Sequence, residues 1–366
     1  MNRNSKKMWP ALAVSLVLAT SFINAADNAD MNRSKPNMDA QKQKGSMGMI
    51  TPPVNPAVQG VDFSFGIEAL YMRVTEDSEN VGLQGSAPTT YPASFSVSEQ
   101  QYDWTWGVRV DAGYAMGHDG WDLQAQWTWL KPSHTNDRSV GTPLGGIHGF
   151  FSTVAPVSAT NSPFITIESG ALNSHRRVLM NIGDLDLGRE FFISKWLVLR
   201  PCIGARGVWI ERNLTVNAIN ILAVPTGLAS NTTKVSTHSS GSYNAGGIYA
   251  GLKTQWGFGD GWSLFGMIDQ ALVYGRNSVS SYEVDYTSVG NKYTRAAISD
   301  KWNTVRGITD LAIGLRWDYM FDNDRYRLRI QGAWEEHLFS NLDVNNFGKN
   351  GDLAVTGASF KVGFDF

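Results

Sequence analysis

A two-residue alternation of apolar and polar side chains, recurring in blocks along the chain, restricts the fold more than any other feature. Phe63, Phe65, Ile67, Ala69 and Tyr71 alternate with Ser64, Gly66 and Glu68. Trp104, Trp106, Val108, Val110, Ala112 and Tyr114 alternate with Thr105, Arg109 and Asp111, and Trp121, Leu123, Ala125, Trp127 and Trp129 with Asp122, Gln124, Gln126 and Thr128. A period of two sends successive side chains to opposite faces, so each block reads as a strand with one greasy and one wet face. The rhythm returns on odd positions from Val305 to Phe321, on even positions from Tyr326 to Trp334, and in the last stretch, Asp352 to Phe366. Weaker versions occupy His175–Glu190, Trp196–Arg212, Tyr243–Phe258 and Trp262–Arg276. The expectation is about ten strands, with twelve as the alternative.

The connections alternate in length. Long ones cover Thr75–Gln101, Pro132–Ser174, Asn213–Ser242, Asn277–Asn303 and Ser340–Gly351; short ones cover Met116–Gly120, Phe191–Lys195, Gly259–Gly261 and Asp322–Arg325. In a meander, every long connection then falls at one end, with both termini at the other. That is the layout of a transmembrane antiparallel up-and-down β-barrel with long outer loops and short periplasmic turns. An all-β soluble sandwich, the competing reading, has no reason to sort its loops in this way. Aromatic residues support the barrel. Tyr114, Trp121, Trp196, Trp256, Trp262, Trp317, Tyr319, Tyr326 and Phe366 lie near the short-turn end, and Tyr71, Trp104, Trp129, Trp209, Tyr274 and Trp334 near the long-loop end. Such rings gain from sitting where hydrocarbon meets headgroups.

The N-terminus reads as a secretory signal, residues 1–25. Arg3, Lys6 and Lys7 precede an apolar core from Ala11 to Ile23, and Ile23-Asn24-Ala25 predicts cleavage after Ala25 or Ala26. Cleavage takes the formal net charge from −2 to −5, which offers no basic surface for nucleic acid. Residues 26–60 lack apolar periodicity and contain the proline-rich TPPVNPAV, so a flexible periplasmic segment is expected before a barrel at 61–366. The predicted location is the bacterial outer membrane. Cys202 is the only cysteine, which rules out an internal disulfide and suggests a buried or lumen-facing thiol.

On these strands the charged positions face inward. The expected lumen lining is Glu68, Arg109, Asp111, Asp122, Arg200, Arg206, Lys253, Asp269, Arg306, Asp310, Arg316, Asp318, Arg327, Arg329, Glu335 and Lys361, with Asp365 beside them. Nine cations against eight anions predict weak charge selectivity. Gly107, Gly113, Gly251, Gly275, Gly314, Gly332 and Gly363 are expected to leave gaps between these side chains. Ten strands lie near the side-chain-filled end of the barrel series, so a narrow pore is expected, partly plugged by side chains or by the Pro132–Ser174 loop. The alternative is a structural or adhesive barrel with a closed lumen whose loops bind a host or envelope partner. No cofactor, metal site or catalytic residue is expected, and the chain is read as not an enzyme. His118-Asp119 falls in a short turn, and Asp184 and Asp186, although they share a face, lie near the periplasmic end. A two-residue Asn323-Asp324 turn would pair Phe321 with Tyr326 and Asp318 with Arg329.

Two resemblances add to this reading. Phe360, Val362, Phe364 and Phe366 resemble the C-terminal assembly signal of outer-membrane barrels, which implies the barrel-assembly machinery as a partner. The hairpin WTWGVRVDAGYAMGHDGWDLQAQWTWL, Trp104 to Leu130, resembles a recurrent hairpin of the Legionella major outer membrane protein-like family, also found in chlamydia-related bacteria. The match rests on Trp106-Gly107, Gly113-Tyr114 and His118-Asp119-Gly120-Trp121-Asp122. It implies a pore-forming barrel from about Pro52 to Phe366 whose partners are membrane lipid and small hydrophilic solutes. Whether the barrel is a homo-oligomer stays open. Unlike better-known relatives with cysteine-linked envelope networks, this chain has a single cysteine.

Overall fold

A computed structural model describes residues 63–76, 80–86, 95–99, 102–116, 120–139, 145–149, 167–223, 232–344 and 350–366. The expected signal at 1–25, the segment at 26–60 and the His118-Asp119 turn lie outside these residues. Ten long strands form the wall. They are β1 (Phe63–Glu76), β2 (Thr105–Ala115), β3 (Trp121–Leu130), β4 (Ile167–Arg189), β5 (Leu197–Ala223), β6 (Thr232–Gly259), β7 (Trp262–Thr287), β8 (Lys292–Phe321), β9 (Tyr326–Val344) and β10 (Asn350–Asp365). Each pairs antiparallel with its neighbours in sequence, and β10 returns to β1, so the sheet closes as an all-β barrel of ten strands. At the seam Phe63 and Phe366 exchange backbone hydrogen bonds of 3.1 and 2.9 Å, tying the last residue into the wall.

The short turns use the expected chemistry. Gly259, Asp260 and Gly261 have φ of 116°, 52° and 79°, and Asp322, Asn323 and Asp324 have φ of 55°, 54° and 63°. Glycine takes that region freely, and Asn and Asp tolerate it better than other side chains. The second turn sets the anticipated register, with Phe321 opposite Tyr326 and Asp318 opposite Arg329. Asp318 does face the lumen, yet its charge partner is Arg316 at 2.8 Å, because Arg329 reaches Asp365 instead.

Where the sequence suggested long loops at Asn213–Ser242 and Asn277–Asn303, the structure mostly continues the strands. β5 to β8 are 27, 28, 26 and 30 residues long, and residues 288–291 alone join β7 to β8. Crossing the hydrocarbon takes about 9–11 strand residues, so more than half of each strand stands beyond it. The outward faces change accordingly. Outward positions on β7 run Leu264, Ile268, Leu272 and Tyr274, then Arg276 and Ser280; on β6 they run Trp256 and Ile248, then Asn244 and Ser240. Beyond the membrane band the apolar outward signal is broken by Arg276, Ser278 and Ser280 before Tyr282, while the strand itself goes on. Around the same end, Ser133–Ser139 and Gly145–Gly149 pair with β4, and Asn80–Ser86 pairs with Phe95–Glu99. Most of the loop suggested as a plug, at residues 140–144 and 150–166, lies outside the described residues.

Both aromatic girdles face outward. Trp256, Trp262 and Tyr319 mark the short-turn end, and Tyr71, Trp209, Tyr274 and Trp334 the other. Tyr71 packs 5.2 Å from Trp104 and 4.8 Å from Trp106, and Trp127 stacks 5.5 Å from Trp209.

Candidate functional site

The inward face of the wall builds the candidate site, and its content changes with height. Nearest the short-turn end is a band of paired charges. Asp365 is held by Arg329 at 2.7 Å and by Arg327; Lys361 reaches Asp111 at 2.6 Å. Arg200 binds Asp122 and, at 2.5 Å, Asp186, which also accepts a 2.8 Å bond from the Tyr249 hydroxyl.

Above this band a chain of ion pairs crosses the lumen. Arg109 on β2 sits 3.0 Å from Glu68 on β1 and 2.9 Å from Glu335 on β9. His337 bridges Glu335 (3.1 Å, through Nε2) and Asp310 on β8 (2.8 Å, through Nδ1). Arg206 on β5 then joins Asp310 at 2.5 Å to Asp184 on β4 at 2.7 Å. Taking such charges out of water costs several kcal/mol per ion, and the attraction offsets it only when geometry is good and spare hydrogen-bonding groups are satisfied. The network provides that: Ser359 donates to Glu335 at 2.5 Å, and the Arg206 guanidinium lies 4.9 Å from the Tyr249 ring centroid.

Higher still, the lumen turns apolar. On β1 the inward series outward from Glu68 is Leu70, Met72 and Val74; on β4 Asp184 is followed by Ile182, Met180 and Val178; on β5 Arg206 is followed by Val208 and Ile210. Ile308 on β8, Phe339 on β9, and Val355 and Leu353 on β10 complete the ring. Phe339 is 2 % exposed, and Val178, Val208, Ile210 and Leu353 have no measurable exposure. These residues form a packed apolar collar. Beneath it, down to the short-turn end, runs a cavity of about 400 Å³ with charged and apolar walls.

Of the sixteen lining positions read from the sequence, the structure brings fourteen into the polar network of the lower lumen. Lys253 enters it through Gln124 at 3.0 Å and Asp186 at 3.4 Å. Arg306 and Asp269 stand apart. Arg306 is buried higher up, 5.1 Å from the Tyr243 ring centroid, and Asp269 forms part of the cavity wall. Asp184 and Asp186, which looked like an acid–base pair, are each engaged by an arginine. Cys202 is free and buried. Two expectations are corrected. Gly332 faces outward, because inward positions on β9 are odd, and the gaps expected at Gly251 and Gly363 are taken up by the Asp269 and Arg329 side chains. His337, Tyr249 and the collar were missed; extending the same inward parity past Glu335 to His337, from Lys253 back to Tyr249, and past Glu68 into Leu70 and Met72 would have found them.

Comparison with known proteins finds one family and several distant structural likenesses. Among solved structures, the outer membrane protease OmpT from Escherichia coli is similar over 86 % of this chain and 99 % of its own, at 10 % identity and a TM-score of 0.38. The Pseudomonas putida toluene transporter TodX is similar over 84 % of this chain and 90 % of its own, at 7 % identity and a TM-score of 0.24. A Pseudomonas aeruginosa FadL homologue covers the same shares at 9 % identity and a TM-score of 0.24. These likenesses are too distant to carry any activity across. No curated protein matches the chain. The profile of the Legionella pneumophila major outer membrane protein precursor matches residues 57–366, nearly the whole chain. On that match the chain belongs to the Legionella major outer membrane protein family and is a β-barrel of the bacterial outer membrane.

Proposed function

We propose that the barrel is a narrow pore for small hydrophilic solutes or ions, closed in this conformation by its apolar collar. The observation that carries the reading is the two-part lumen, a charge-lined cavity ending beneath a packed apolar ring. A hydrophobic constriction gates by excluding water, so parting of a few collar side chains would connect the cavity to the outer side. Cations and anions lie close together below the collar, which supports weak charge selectivity. The reading is not enzymatic, because Asp184 and Asp186, the carboxylates nearest in kind to an acid–base pair, are held by Arg206 and Arg200.

A structural or adhesive barrel is the second reading, favoured by the density of the collar and by the strand length outside the membrane band. Planar-bilayer recording on purified protein separates the two. The pore reading expects rare, small steps from the natural chain and sustained current from a Met72→Ser, Phe339→Ser double variant. Silence from both would establish the closed barrel instead. Steps as large as those of a general trimeric porin would contradict a lumen of ten strands. The terminal strand is proposed as the assembly signal: deleting Phe366, which removes the seam bonds to Phe63, should lower the amount of folded, heat-modifiable barrel in the membrane. Normal insertion of the truncated chain would end that part of the reading.

A further inference from the structure

Almost every lumenal carboxylate below the collar has a cation or donor within hydrogen-bond reach; Asp269 does not. It is 4 % exposed, lies on the cavity wall, and makes no hydrogen bond or ion pair with any described residue. Its position makes the omission costly. On β7 it stands directly opposite Asp310 of β8, and like charges facing each other across a strand pair are unfavourable. Asp310 is relieved by Arg206 at 2.5 Å and His337 at 2.8 Å, so both of those side chains are committed to it. The neighbouring lysine on β6, Lys253, gives its ammonium to Gln124 at 3.0 Å and Asp186 at 3.4 Å rather than to Asp269. On its remaining flank Asp269 leans over Gly251, where a Cβ would collide with the carboxylate, so the side chain is held against the wall by a residue without one. A buried, unpaired carboxylate is among the least favourable groups a protein can hold, and a cation from outside would remove the cost.

We propose that the lower-lumen cavity binds a small organic cation, whose ammonium group pairs with Asp269. Three observations set the chemical class. The cavity, at about 400 Å³, is of the size that holds a small molecule and far exceeds a bare ion. The described residues contain no group of three or more His, Cys, Asp or Glu placed to hold a metal. The wall around Asp269 includes Phe265, Met267 and Ala312, apolar surface that suits the hydrocarbon part of an alkylammonium. The cavity lies below the collar and its lining continues to Phe63, Gly120 and Phe192 at the short-turn end, so entry from that side does not depend on whether the collar opens.

Isothermal titration calorimetry on the folded barrel in detergent tests this, with n-butylammonium chloride as probe and sodium butyrate at equal ionic strength as control. Saturable binding of butylammonium is expected, with butyrate at least ten-fold weaker. Asp269→Asn, nearly the same in shape, should weaken butylammonium binding at least ten-fold while the heat-modifiable migration of the barrel is kept. Gly251→Ala, which displaces the carboxylate, should also weaken it. Equal binding by Asp269→Asn, or absence of saturable heat with the natural chain, would overturn the site. Displacement of butylammonium by potassium at equal concentration would overturn the organic class. Because no current is read, silence in the bilayer leaves this proposal standing, and its failure leaves the pore reading standing.

Discussion

Within one wall, the membrane band and the outward extension are built on opposite plans. In the band the outward face is Ile268, Leu272, Ile313 and Leu315, and the inward face is Arg109, Glu335, Asp310 and Arg206. In the extension the outward face carries Arg276, Ser280, Asn244 and Lys301, while Val208, Ile210, Tyr243 and Phe339 fill the interior. The backbone ladder runs on unchanged through both, as in the unbroken register of β7 against β8 from Trp262 to Glu283. What reverses is the solvent outside. Where lipid surrounds the barrel, apolar side chains go out and polar ones must satisfy one another within; where water surrounds it, the outward face turns largely polar and apolar side chains join buried polar ones such as Asn277 and Glu283 inside. The membrane boundary is therefore written as an exchange of faces rather than as the end of a strand.

The largest effect should come from breaking the polar plan at its centre. Arg109→Leu leaves Glu68 and Glu335 without their shared cation and should cost about 3–5 kcal/mol in urea unfolding of the barrel in vesicles. Replacing both carboxylates as well, with Glu68→Gln and Glu335→Gln, should recover most of that loss, since the penalty lies in the uncompensated charge. An undiminished loss in the triple variant would mean that packing, not charge, holds this level.

The next prediction compares the two outward faces on one strand. Ile268→Arg places a charge against hydrocarbon and should cost about 2–4 kcal/mol, as measured by the same unfolding. Ser280→Arg, three turns of the alternation beyond the Tyr274–Arg276 boundary, should change stability by no more than about 0.5 kcal/mol. Equal costs at the two positions would erase the proposed boundary.

The smallest effect is a pH dependence in the extension. Burial pushes the Asp285 carboxyl up to about 6, above its ordinary value of about 3.9. The folded state therefore favours the protonated form, and stability should rise as pH falls through 6 towards 4. Hydrogen exchange in the β7–β8 hairpin, corrected for intrinsic rate, should slow between pH 7 and pH 5, and Asp285→Asn should flatten that change. Faster corrected exchange at pH 5 would contradict the sign.

This comparison also explains how far the sequence could be read. Ten strands, their order, the turn register at Asn323-Asp324 and the lumenal set from Glu68 to Lys361 were legible because apolar-out alternation is strong wherever lipid is the solvent. At Asn213–Ser242 inward Leu214, Val216 and Ala218 stand against Asn213, Thr215 and Asn217 outside. At Asn277–Thr287 inward Asn277, Ser281, Glu283 and Asp285 stand against a mixed outer side of Ser278, Ser280 and Tyr282. The period of two survives there, but its apolar–polar contrast falls, so the segments read as loops. The collar was missed for the same reason, since Leu70, Met72 and Val74 share the parity of Glu68 and look like interruptions of a polar face. Partner choice within the lumen was not legible at all: Arg329 stands opposite Asp318 in register yet binds Asp365, a choice made by three-dimensional packing among β8, β9 and β10.

The central claim is that the wall exchanges faces at the level of Tyr274 and Arg276. The most direct test is single-cysteine scanning of outward β7 positions in a Cys202→Ala background, using a membrane-impermeant thiol reagent on the barrel in lipid vesicles. Cysteines at 264, 268 and 272 should be protected, and those at 276, 278 and 280 should label. Labelling at 268, or protection that continues through 280, would contradict the account.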